Sequence, residues 1–126
     1  MNLIQEYLKK AILLSQVSLD DYGSKIKVSQ NNRRANRLRK IATLIEAKHP
    51  ELKNDFYQFL FHENETVKLG SAHHLLEVMN YHNEHRATAL KIIAHVARTG
   101  NGPEGIGNQI WLKDWLSTHP EDECLL

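Results

Sequence analysis

Apolar residues recur at three- and four-residue steps along almost the whole chain, and that period predicts helices rather than strands. Over residues 2–21 the stripe is Leu3, Ile4, Tyr7, Leu8, Ala11, Ile12 and Leu14, and Gly23 supplies a break after it. A second helix is expected over 25–48, with Leu38, Ile41, Ala42 and Ile45 facing inward. Pro50 ends it, because the residue before a proline is pushed out of helical geometry. Proline suits the first turn of the next helix, expected over 51–61 with the aromatic cluster Phe56, Tyr57, Phe59 and Phe61. Asn64 is a natural N-cap for a fourth helix ending near Met79. Val67, Ser71, Leu75 and Val78 lie on one side of it, and the small Gly70 and Ser71 let a neighbour approach closely. Asn83 is expected to cap a fifth helix whose buried face is Leu90, Ile93 and Ala97, beside Ile92 and Val96. Gly100 suits its C-terminus, and the loop GNGPEG over 100–105 leads to a sixth helix. There Ile106, Ile110, Trp111, Leu112, Trp115 and Leu116 are expected to close the core.

The third with the fourth helix, and the fifth with the sixth, make two successive hairpins spaced by roughly 33–38 residues, within the range of helical repeats. The fold class expected is therefore all-α, a stack of about six helices in which each hairpin hides its apolar face on the next. An irregular helical bundle is the alternative architecture. One domain is expected over 1–119, followed by a flexible acidic C-terminal tail over 120–126.

Composition changes this picture little. Among 126 residues, 41% are hydrophobic and 25% charged, and the net charge is +1, so any polyanion or membrane partner needs a local patch. The single cysteine, Cys124, cannot form an intrachain disulfide. No run of about 18 apolar residues exists to span a membrane. Glu6, Lys9 and Lys10 interrupt the first apolar stripe, unlike a signal peptide, so a cytoplasmic location without membrane contact is expected.

Three features carry candidate chemistry. At 100° per residue, Arg33, Asn36, Arg37 and Lys40 share one face of the second helix, while Arg34 falls toward the apolar stripe. Arginine forks suit carboxylate or phosphate, so this face suits an acidic protein patch or nucleic acid; the plainer reading is a solvated surface. His73, His74, His82 and His85 crowd one region, but there is no HExxH motif and no nearby cysteine, so no metal or cofactor is assigned. The glycine-rich loop lacks the lysine and hydroxyl of a phosphate-binding loop and reads as a helix connection. Trp111 and Trp115 are core candidates, either of which would make an interface anchor if exposed.

Residues 62–76, HENETVKLGSAHHLL, resemble the inter-helix turn and second helix of a HEAT-like repeat, with Glu63 where proline is common and Lys68 where arginine is. Asn36-Arg37 resembles an asparagine–basic pair in a family of small bacterial HEAT-like proteins. The resemblance implies a HEAT-like α-solenoid. Some such proteins are immunity proteins of contact-dependent or polymorphic toxin systems, which implies a non-enzymatic partner-binding role against a cognate toxin domain. The partner-binding residues expected are Arg33, Asn36, Arg37 and Lys40, with Tyr81, Asn101, Glu104 and Trp111 as apolar and adaptable contacts. The alternative is a nucleic-acid-binding helical-repeat protein that uses the basic face of the second helix.

Overall fold

The structure is a computed structural model that describes residues 2–17 and 23–126. Among them all regular structure is helical: α1 (Leu3–Ser15), α2 (Lys25–Lys48), α3 (Lys53–Tyr57), α4 (Glu65–Glu77), α5 (Asn83–Thr99) and α6 (Gly102–Thr118). Short 3₁₀ helices occupy Pro50–Leu52, Gln58–Phe61 and Pro120–Leu125. No described helix is long and apolar enough to cross a membrane.

Local chemistry sets most boundaries. Asn2 and Gln5 cap α1 reciprocally, each side chain accepting the other's backbone N–H. The expected end of the first helix at 21 lies outside the described residues. Ser24 caps α2, and Asn64 caps α4 by accepting from Thr66 and Val67. The amide of Asn64 also donates to the Ser15 hydroxyl, 3.1 Å away, and so ties α4 to the end of α1.

Four expectations need correction. The third element is not one helix over 51–61 but a single α-helical turn between two 3₁₀ turns, which lets Phe56, Phe59 and Leu60 all reach the core. Asn83 is the first residue of α5 rather than its cap; His82 holds the cap position without a side-chain bond. Most of the expected loop is helix, since α6 begins at Gly102, the one described residue in the left-handed region (φ 64°), with Pro103 in its first turn. A Cβ at Gly105 would overlap the carbonyl oxygen of Gly100, so glycine here permits a very short connection. Finally, residues 120–125 fold instead of fraying. Asp122 is only 3% exposed and accepts from Arg86 Nη2 and from the Trp115 indole N–H.

α1 packs on α2 and α4, α4 on the Gln58–Phe61 turn and α5, and α5 on α6. The core runs through Tyr7, Ile41, Ile45, Phe56, Leu60, Val67, Leu75, Leu90 and Ile93, all almost fully buried. Tyr7 sits edge-on to Phe56 and stacks on Phe59, at centroid distances of 4.9 and 5.2 Å. Its hydroxyl meets His74 Nδ1 at 2.7 Å, so a phenol and an imidazole satisfy each other in a dry place. Burial pushes the Tyr7 phenol up and pushes His74 down to about 4.

Candidate binding surface

The residues expected to meet a partner divide into two groups. On α2, Arg33, Asn36 and Lys40 are solvent-exposed. Arg37, expected beside them, instead reaches back to α1 and forms a two-pronged pair with Glu6, Nε–Oε2 2.7 Å and Nη2–Oε1 2.9 Å. That guanidinium holds the Glu6 carboxyl down to about 2. Arg34 donates to Asn31 at 3.0 Å rather than to a carboxylate.

In the other group the two aromatic residues are turned inward and the two polar ones outward. Tyr81 donates to the Lys53 carbonyl at 2.8 Å and lies under the Lys53 ammonium, which stands 4.5 Å from the ring centroid. Trp111 meets His73 edge-on at 4.6 Å, stacks on Trp115 at 5.0 Å and donates its indole N–H to Glu77 at 2.7 Å. Asn101 and Glu104 are exposed at the start of α6.

Glu77 is the hub of this polar seam. It also accepts from Arg39 of α2 at 2.7 Å and lies 3.6 Å from His73 Nδ1. His73, then Arg39 and Trp111, hold its carboxyl down to about 2 against the opposing effect of burial. His73 Nε2 meets Asn108 Oδ1 at 2.7 Å, and Asn108 donates onward to the Glu104 carbonyl. The seam joins α2, α4 and α6 and contains a histidine between two acceptors but no hydroxyl or thiol to activate. The other three histidines of that sequence cluster go elsewhere: His74 to the core, and His82 and His85, ring centroids 6.3 Å apart, to a polar recess with Tyr81. Among the described residues, no three His, Cys, Asp or Glu side chains converge as metal ligands.

The surface that sequence reasoning missed flanks α5. On one side, between α5 and α6, Ala94, Ala97, Leu112, Leu116 and Leu126 floor a groove of about 590 Å³ rimmed by Lys91, Arg98 and Lys113. On the other side, Leu60, Phe61, Ile92 and Val96 floor a second groove of about 460 Å³, rimmed by Lys68, Lys91 and His95 and by one acid, Glu65. Phe61 is 61% exposed there, whereas Phe56 and Phe59 of the same aromatic cluster are buried. Lys91 stands on the ridge and lines both grooves. A signal for this was present in the sequence: Lys91, His95 and Arg98 recur at four and three residues between apolar neighbours on the same helix.

Ile106 and Ile110, expected to close the core, are instead each 58% exposed on the outer side of α6. Trp111, Leu112 and Trp115 take the inward positions.

Comparison with protein families, with curated proteins and with solved structures found no match to this chain. The class that the structure defines is therefore an all-helical domain with apolar grooves crowned by cations.

Proposed function

We propose that this chain is a non-enzymatic protein-binding module, and that its partner is a bacterial toxin domain which it neutralises as an immunity protein. The observation that carries the reading is the pair of apolar grooves on either side of α5, with Lys91 shared between them and Arg98, Lys113 and Lys68 around the rims. Apolar floors favour burial of a partner's apolar side chains, and the basic rims select a partner segment that flanks those side chains with carboxylates. Packed helices present the grooves without an ordering step, which limits the entropy lost on docking. An interface of about 1,600 Å² suffices for tight steric blockade of an active site.

The immunity assignment and the HEAT-like arrangement rest on the resemblance of residues 62–76 and of Asn36-Arg37. Sequential packing of α4 on α5 and of α5 on α6 supports a repeat-like stack. The test is co-expression with the toxin domain encoded beside this chain's own reading frame. Restored growth and co-elution of the two proteins are expected, and the double substitution Lys91→Glu and Arg98→Glu is expected to abolish both. If no such neighbour is encoded, or if the two proteins elute apart, the immunity reading fails.

A further inference from the structure

We propose that the solvent side of α2 between Lys25 and Lys40 binds the phosphate backbone of duplex nucleic acid. This second site stands independently of the α5 grooves. Seven basic side chains and no acidic one occur from Lys25 to Ile45, while the rest of the chain carries an excess of six acids. A net charge of +1 therefore conceals a strongly polarised molecule.

Among the described residues, the carboxylates seen to reach α2 from other elements are already engaged. Glu6 holds Arg37, and Glu77 holds Arg39, His73 and Trp111. Glu46, further along α2, holds Lys53 and the Asn80 N–H. Among the described residues, Arg34 bonds an amide on another face of the helix, and Lys25, Arg33 and Lys40 are left without an ion-pair partner.

Those three side chains fall within one arc of about 100° together with Ser29, Asn32 and Asn36, at 100° per residue. All six are solvent-exposed, and five of them line one surface depression. Each is a hydrogen-bond donor, and none is a carboxylate that would repel a phosphate. Lysine, arginine, serine and asparagine are the residue types that contact nucleic-acid phosphates, with the cations supplying most of the affinity. From Lys25 to Lys40 the stripe runs about 22 Å at the helical rise, the length of about six base pairs.

Two other polyanions fit less well. A protein interface concentrates aromatic and apolar anchors near its centre, whereas this stripe has one exposed large apolar side chain, Ile26, at its margin. Single-stranded nucleic acid is held by stacking on aromatic rings, and no Phe, Tyr or Trp occurs between Gly23 and Asp55.

The test is fluorescence anisotropy of the full chain with labelled DNA and RNA duplexes of about 20 base pairs, titrated across a salt series. Binding is expected at about 10–100 µM at low salt, with log affinity falling against log salt at a slope near −3, one phosphate for each of Lys25, Arg33 and Lys40. Arg33→Glu with Lys40→Glu is expected to weaken binding at least tenfold and to flatten the slope toward −1. The milder Arg33→Gln with Lys40→Gln should weaken it in the same direction, with the helical circular dichroism of both variants unchanged. Lys91→Glu with Arg98→Glu, on α5, is expected to reduce it far less. Duplex binding by one sugar type only still supports the site and names its preference. Absence of binding at low salt, or equal affinity in the Arg33/Lys40 variants, overturns it. Binding of labelled poly-glutamate as tightly as the duplex also overturns it, and assigns the stripe to an acidic protein.

Discussion

The two halves of α2 belong to one continuous helix and behave as different materials. From Leu38 to Ile45 its inward residues are buried against the core; from Lys25 to Arg37 no residue is. The dividing point is Arg37, whose pair with Glu6 ties the last open turn to α1. The two halves differ in what packs against them. The second half meets α1, α4 and the Pro50–Leu52 turn, and its aliphatic side chains remove apolar area from water. Among the described residues the first half has only α1 beside it, and its exposed surface is mostly amide and cation. A single helix thus serves as scaffold at one end and as displayed chemistry at the other.

The contrast is broken most strongly by Ile41→Ala. It leaves a cavity at a fully buried position and is expected to cost about 2–5 kcal/mol in denaturant unfolding. Next comes Arg86→Ala at the far end of the molecule, which strips the partner from the buried Asp122 carboxylate. About 2–3 kcal/mol is expected, because Arg86 is itself partly solvated, together with faster proteolysis of the Pro120–Leu125 segment. If that loss is absent, the acidic segment contributes no docking energy.

Acid should separate the buried end from the solvated one. His74 sits at about 4 in the folded chain against an ordinary value near 6.5, so the unfolded chain binds its proton first as pH falls. The stability held by neutral His74 is full above about pH 6.5 and is lost as pH falls through 4. Glu6 and Glu77, held near 2 against an ordinary 4.5, add a second loss between pH 4.5 and 2. Melting temperatures across this range are expected to fall in two stages. His74→Gln should flatten the first stage and leave the second; an unchanged first stage would remove His74 as its source. Smaller still, Arg37→Ala is expected to cost about 1 kcal/mol, since its partly exposed pair with Glu6 is screened by solvent. At the bottom of the scale, Ile26→Ala on the open half should change stability by less than about 0.5 kcal/mol. A larger loss there would mean that the open half is packed in solution.

Much of the fold was legible because helix period and capping are local. The stripe Leu38, Ile41, Ala42 and Ile45 and the Asn64 cap were readable from spacing alone. The candidate sites were less so. Tyr81 and Trp111 read as outward anchors, yet each spends its polar atom on a distant residue, the Lys53 carbonyl and Glu77. Arg37 shares a helical face with Arg33 and Lys40, but Glu6, 31 residues away, claims it. The α5 grooves are built from four segments, and no single window of sequence contains them.

By itself the sequence determined that this chain is helical, where most helices start and stop, and that its basic charge is gathered in α2. These follow from backbone hydrogen bonding, side-chain period and composition, which act over a few residues. Only the tertiary structure decided which cations are neutralised, which aromatic rings are buried, and that the last acidic segment folds back onto α5 and α6. Those outcomes depend on which surfaces exclude water together, and residues far apart in the chain settle that jointly.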